Sequence, residues 1–259
     1  MSVTYDFRGR VALVTGVSRR IGIGFAIASH LARSGAGVFV HSFAPYDREM
    51  YATDTHEVAE IVTALRAYGG HVEQIEADFR DPEAPAQVVE AAFVAFGQVD
   101  ILICNHAYST MGALENLTAT QIDTHLDANV RGSLLLAKEW AARHDDARPG
   151  GRVILMTSGQ HLGPMPGELA YIASKAALHG LTQSLAAHLA PRHITVNTVN
   201  PGATDTGYAT PALHQAVLAH EPQGRWGQPE DAACLITWLV SNDAQWVTGQ
   251  VINSTGGGL

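Results

Sequence analysis

Short runs of apolar and β-branched residues recur along the chain, each ending in Gly, Asn, Asp, His or Ser: VALVTG (11–16), GVFVH (37–41), VDILICN (99–105), RVILMTS (152–158), ITVNTVN (194–200) and QVIN (250–253). Continuous apolar runs of this length predict strands buried on both faces. Between them, residues 25–31, 58–68, 86–96, 122–140, 170–190 and 230–240 carry Ala and Leu at helical spacing and predict helices. Strand and helix alternate, so the pattern predicts an α/β protein with a doubly wound parallel sheet covered by helices on both faces. Two stretches, 42–55 and 203–228, lack periodicity and are expected to be loops or lids. With no repeat or low-complexity segment, residues 1–259 read as one domain.

Composition narrows the function classes. At 46% hydrophobic and 16% charged residues, a chain of 259 can bury a substantial core. Its formal net charge of -9 argues against a nucleic-acid or anionic-membrane surface, because the field repels phosphate. Cys104 and Cys234 are too few for a disulfide framework and fit a reducing compartment. Cys104 reads as a buried strand-end hydrophobe. The start, MSVTYDFRGR, has no signal-peptide apolar stretch, and 232–240 is too short to span a bilayer. A soluble, cytoplasmic protein is expected. None of the 13 histidines falls at metal-ligand spacing, so no metal is expected.

The first strand runs into Thr15-Gly16-Val17-Ser18-Arg19-Arg20-Ile21-Gly22-Ile23-Gly24, followed by a helix. Glycines here let the backbone approach a pyrophosphate seated on a helix N-terminus. At the end of the second strand, where an acidic residue would accept hydrogen bonds from an NAD ribose, stand His41 and Ser42. Arg19 is placed to pair with a 2′-phosphate, which favours NADP(H); Asp47 could fold back to serve NAD(H).

Tyr171 and Lys175 lie four apart in a helical stretch and share a face. A phenol titrating at about 10 is a poor proton carrier at neutral pH, and a nearby ammonium is expected to lower that value. Ser158 ends a predicted strand at the carboxyl edge of the sheet, where it could donate to a substrate carbonyl. The pair alone recurs by chance; the serine gives it a context.

The glycine-rich start, Ser158, Tyr171 and Lys175, in this order and spacing, resemble the short-chain dehydrogenase/reductase family over nearly the whole chain. Tyr171 follows Ser158 by 13 residues, and Asn129 stands in Ala128-Asn129-Val130-Arg131-Gly132 on a long helix, as the family has them. The resemblance implies a single-domain Rossmann-type sheet of about seven strands. It implies that Tyr171 exchanges a proton with the substrate oxygen while hydride moves to or from the nicotinamide. Lys175 would hold the ribose and lower the tyrosine pKa, Ser158 would polarise the carbonyl, and Asn129 would hold a relay water. It further implies cofactor contacts at Gly16, Ser18, Arg19, Gly22, Ile23, Gly24 and Ser42. Asp78 and Phe79 would contact adenine, Asn105 and His106 the fourth-strand end, and Pro201, Gly202, Thr204 and Thr206 the carboxamide. Residues 224–231, 248–250 and 256–257 resemble the 3-oxoacyl-[acyl-carrier-protein] reductase branch, and the family implies a homotetramer. Three departures stand out. The phosphate loop is two residues longer, His106 replaces a small residue, and Thr204 replaces the usual isoleucine.

The reading is an NADP(H)-dependent reductase of a ketone or dehydrogenase of a secondary alcohol, with a 3-oxoacyl thioester as one substrate. Arg148, Arg152 and Arg192 are the cluster available to dock an acidic carrier protein. His161 and Tyr208 are candidate substrate contacts. A nucleotide-sensing protein of the same fold has no need of Ser158, Tyr171, Lys175 and Asn129 together, and a methyltransferase leaves Tyr171 and Pro201-Gly202 unexplained.

Overall fold

Along β1 (Val11–Val14), successive side chains point to opposite sides and enter two different cores. Ala12 and Val14 join Ile27 and Leu31 of α1 (Ile23–Arg33), Ile61 and Leu65 of α3 (Glu57–Arg66), and Ile236 and Leu239 of α9 (Pro229–Leu239). Val11 and Leu13 join Val88 of α4 (Ala84–Phe96), Leu136 and Trp140 of α6 (Gly132–Arg143), and Leu178 and Leu189 of α7 (Leu169–Leu189). Each such fully buried side chain contributes about 1.5–3 kcal/mol, so strands apolar on both faces are held by helices on both. The computed structural model describes residues 5–51, 56–148 and 150–258. Six further strands complete an all-parallel sheet: β2 (Gly37–Ser42), β3 (Val72–Glu76), β4 (Ile101–Cys104), β5 (Arg152–Met156), β6 (Thr195–Asn200) and β7 (Val251–Asn253). Their order is β3-β2-β1-β4-β5-β6-β7, the doubly wound arrangement the alternation predicts.

Four expectations change. β3 is missing from the six apolar runs because, as an edge strand, it alternates buried Val72 with more exposed acids and Gln74. The stretch 42–55 holds a helix, α2 (Ala44–Tyr51), of which only Ala44 is buried; it covers a polar cleft and needs no apolar stripe. Residues 52–55 of that stretch, and 1–4 of the N-terminus, lie outside the described residues. Within 203–228 a helix, α8 (Pro211–Leu218), starts at Thr210, whose hydroxyl accepts from Leu213 N at 3.2 Å. The single helix foreseen over 122–140 is instead α5 (Ala119–His125), a π-helical turn (Leu126–Arg131) and α6. No described helix is long and apolar enough to cross a membrane.

The three arginines considered for carrier docking are engaged internally. Arg148 pairs with buried Asp100 at 2.8 Å, whose other oxygen accepts from Val11 N. Arg192 pairs with Asp146, and Arg152 is buried with its guanidinium on the Ser241 and Gly151 carbonyls.

A buried polar seam crosses the molecule beneath the carboxyl ends of the strands. The Thr15 hydroxyl accepts from the main-chain N–H groups of Asn105 (3.0 Å) and His106 (3.2 Å) and lies 2.7 Å from His106 Nδ1. His106 Nε2 donates to the Ala128 carbonyl in the π turn, so Nδ1 is the acceptor and Thr15 its donor. One residue on, Asn129 accepts from Tyr108 N, donates back to Tyr108 O, and donates to Ser174 Oγ on α7. Alongside, His41 accepts from Gly16 N, donates to Ala77 O and stacks on Phe79 at 4.1 Å.

Both imidazoles are therefore held neutral. Burial pushes His41 down to about 4 and His106 well below the ordinary histidine range. As pH falls from about 6.5 toward 4 the unfolded chain takes up protons that the native state refuses. Each ring thus removes up to about 1.4 kcal/mol of stability per pH unit in that window. Urea unfolding between pH 4 and 7 is expected to show this decline, and a shallower one for His41→Gln; equal slopes would contradict it.

Candidate functional site

The chain leaves β1 and β4 toward opposite faces of the sheet, and the strand ends part there. This switch point is where open α/β sheets bind ligands. A cleft of about 1020 Å³ opens at it. Gly16 (φ 72°) turns the chain out of β1, and a Cβ on Gly24 would lie 2.4 Å from Gly16 O. The two glycines thus pack backbone on backbone beneath the cleft. The two additional residues are absorbed at the loop tip, where Arg20 and Ile21 are exposed and Gly22 N donates to Arg19 O. The first turn of α1 has no side-chain cap and no acidic residue, which leaves its N–H groups for an anion. The residues present fit the pyrophosphate of a dinucleotide.

The cleft wall beyond that loop gathers most of the predicted cofactor residues: Ser18, Arg19 and Ile23 on the first βα unit, Asp78 and Phe79 after β3, Asn105 and His106 after β4. Pro201, Gly202, Thr204 and Thr206 line the far end. Thr204 turns its hydroxyl back onto Pro201 O, closing the turn that Gly202 (φ 69°) opens. Ser42 is not on the wall; it is buried and its Oγ has no hydrogen-bond partner among the described residues. The Asp78 carboxylate is occupied by Arg80 at 2.6 Å. Arg19 is engaged on three sides. Its Nε lies 3.3 Å from Asp47, its guanidinium stacks 3.8 Å from the Tyr51 ring, and it donates to Thr206 O at 2.9 Å. It joins the phosphate loop to α2 and to the 203–208 segment.

At the other end, two bonds tie the end of β5 to α7. Thr157 Oγ1 donates to Lys175 O at 2.9 Å, and Lys175 Nζ donates to Met156 O at 3.0 Å. Ser158 follows directly, its N–H held by the Gln160 side chain, and faces Tyr171 across the cleft wall. Ser158, Tyr171 and Lys175 are thus brought together as the spacing predicts. Their electrostatics are not as expected. Withdrawal from water pushes Tyr171 up to about 12, with the Ser158 hydroxyl pulling the other way and the Glu168 charge adding to the rise. Burial lowers Lys175 to about 8, and its ammonium sits 5.7 Å from the Tyr171 ring centroid, bonded to main chain. In this arrangement burial sets the direction of the phenol's shift, which is upward.

Asn129 lies fully buried behind the wall, both ends of its amide committed to Tyr108 and Ser174. His161 points away, its Nε2 donating to Asn253 Oδ1 at 3.0 Å and its ring meeting His179 edge-on. Tyr208 does line the cleft, packed against Trp226. Cys104 is buried and pushed up to about 12 by burial, which leaves it inert. Sequence reasoning missed Tyr46 and Tyr51, which α2 lays over the cleft, and Glu168 with Met111 and Met165 beside Tyr171. Only Glu168 carried a signal, three residues before Tyr171 and on the same turn.

A family model described as Enoyl-(Acyl carrier protein) reductase matches residues 16–258. The chain is 39% identical over 249 residues to "Uncharacterized oxidoreductase YjdA" of Bacillus subtilis (strain 168), covering 96% of each. It superposes with TM-score 0.87 on a short chain dehydrogenase from Burkholderia cenocepacia J2315 in complex with NADP, at 35% identity over 97% of this chain and 98% of that one. The landomycin C-6 ketoreductase LanV with bound NADP and rabelomycin aligns with TM-score 0.84 at 31% identity, covering 98% of this chain and 97% of that one. With the parallel sheet, the glycine cradle and the Ser158, Tyr171, Lys175 cluster in place, the chain belongs to the short-chain dehydrogenase/reductase family and is an NAD(P)-dependent oxidoreductase.

Proposed function

We propose that the protein transfers hydride between NADP(H) and a ketone or its secondary alcohol, with Tyr171 as proton donor. The observation that carries this is the meeting of Ser158, Tyr171 and Lys175 in the same cleft as the glycine loop. Bound along the loop and the 201–206 turn, a nicotinamide cofactor would supply the hydride. Ser158 donates a hydrogen bond to the substrate oxygen and fixes it beside Tyr171. The phenol, neutral over the physiological range, holds the proton that the oxygen receives. Lys175 stays largely protonated near neutral pH, so its ammonium can turn from Met156 O toward the ring and stabilise the phenolate left behind. Asn129 acts here by pinning the Tyr108 loop to α7.

Several features support a free ketone over a carrier-bound 3-oxoacyl thioester. Met111, Met165, Tyr208 and Leu213 line the cleft that holds Tyr171, and the arginines considered for carrier docking are spent internally. A ketoreductase among the related structures points the same way. NADP(H) is favoured because Arg19 is the cation at the ribose end and two related structures hold NADP or NADPH. A cytoplasmic homotetramer remains the assembly and location proposed on family grounds.

Tyr171→Phe is expected to lower kcat for carbonyl reduction, followed at 340 nm, by about 100- to 10,000-fold while NADPH binding persists. A variant keeping most of its activity would overturn the role. Arg19→Ala is expected to cut the NADPH-to-NADH ratio of kcat/KM by about 10-fold or more, and Asp47→Asn, which frees Arg19, to raise it. An unchanged ratio in both would remove Arg19 from cofactor choice.

A further inference from the structure

Glu168 places a carboxylate in the lining of the catalytic cleft with no protein group bonded to it among the described residues. It is half-buried, lines the cleft, and has no hydrogen-bond or ion-pair partner among the described residues. It stands at the N-cap position of α7, yet its side chain caps no N–H of that helix, so helix capping does not account for it. Its main chain is fixed on two sides. Ile172 N donates to Glu168 O, while Gly112 N donates to Gly167 O at 2.7 Å and Leu169 N to Gly112 O at 3.1 Å. The main chain that carries the carboxylate is therefore fixed, a single helical turn before Tyr171.

Its surroundings make that placement costly. Met111, Met165, Tyr208 and Leu213 share the wall, and burial raises the carboxyl above its ordinary range. Its charge also works against ionisation of both Tyr171 and Tyr208. A half-buried acceptor left unpaired loses free energy, and a carboxylate loses more than a neutral group. A donor carried by the substrate removes that penalty and screens the charge from Tyr171. The apolar and aromatic wall favours a neutral hydroxyl over an ammonium as that donor, because a second charge would have to be stripped of water there.

We propose that Glu168 accepts a hydrogen bond from a hydroxyl group on the substrate, so that the enzyme selects hydroxylated ketones over the same ketones without the hydroxyl. This rests on the ketone reading above. A site built to bond a hydroxyl discriminates strongly against the analogue lacking it.

The test compares tetralone, its ring-hydroxylated derivatives and an aliphatic cyclic aminoketone, each with NADPH, in wild type, Glu168→Gln and Glu168→Ala. In wild type, kcat/KM for the best hydroxylated tetralone is expected to exceed that for tetralone by about 10- to 100-fold. That ratio is expected to fall toward one in Glu168→Ala and to an intermediate value in Glu168→Gln, whose amide oxygen still accepts. The dissociation constant of the hydroxylated ketone from the NADP+-loaded enzyme is expected to rise by the same factor. A ratio that survives in Glu168→Ala, with both ketones slowed alike, assigns Glu168 a purely structural role and overturns the proposal. Wild-type preference for the aminoketone overturns it in favour of a cationic substrate. Failure to reduce any of these ketones despite NADPH binding overturns the ketone reading itself, and the proposal with it.

Discussion

The hydroxyl of Thr15 is the joint on which the two ends of this cleft depend. It sits where the chain leaves β1 and holds two consecutive main-chain N–H groups after β4, so the phosphate loop and the fourth-strand loop cannot move independently. Through His106 the joint reaches the π turn, and through Asn129 it reaches Ser174, whose hydroxyl donates to Tyr171 O. The glycine cradle and Tyr171 lie on different elements, yet a continuous line of buried hydrogen bonds connects them. Every member has its partner, and a buried polar network of that kind specifies one geometry because any slip leaves a donor or acceptor unpaired. The extra residue of a π turn fits the same logic, since it re-aims the carbonyl of Ala128 and the side chain of Asn129 within one short segment.

Electrostatics within the cleft follow burial first and charge pairing second. Tyr171 and Lys175 are each driven toward their neutral forms by loss of water, in opposite directions on the pH scale. A neutral phenol is the form a reduction needs, because it carries the proton to be given. Beside Arg19 burial again comes first, raising the Asp47 carboxyl, while a Ser18 hydrogen bond and the Arg19 charge pull the other way. Arg19 and Asp47 pair with one another, so any anion that binds at Arg19 competes with a carboxylate for the same guanidinium. On the NADP(H) reading proposed above, cofactor choice is a difference between two ion pairs in which Asp47 takes part along with Arg19.

Much of this was readable from the chain. The apolar runs gave six strands in their correct places, because central parallel strands must be apolar on both faces; β3 was hidden by the acids of an edge strand. Ser158, Tyr171 and Lys175 were found by spacing, since the residues from strand end to helix turn translate directly into three dimensions. α2 was not legible, because what holds it is a set of contacts from Arg19, Ser109 and Tyr108 to Asp47, Tyr46 and Tyr51, far apart in sequence. His106 looked like an intruder in the pocket from its position alone; only the fold shows that its two ring nitrogens already have partners in Thr15 and Ala128. Likewise, three arginines counted as a docking cluster turned out to be structural, which depends on where Asp100, Asp146 and Ser241 lie.

We propose that the Thr15 joint holds a bound nicotinamide and Tyr171 so that hydride and proton reach the two atoms of one carbonyl. The most direct measurement uses NADPH dideuterated at nicotinamide C4 with a ketone substrate, followed by mass analysis of the alcohol. One deuterium on the carbinol carbon per cofactor consumed, with the oxygen-bound hydrogen drawn from solvent, is the predicted result. An alcohol free of deuterium at that carbon would contradict the account.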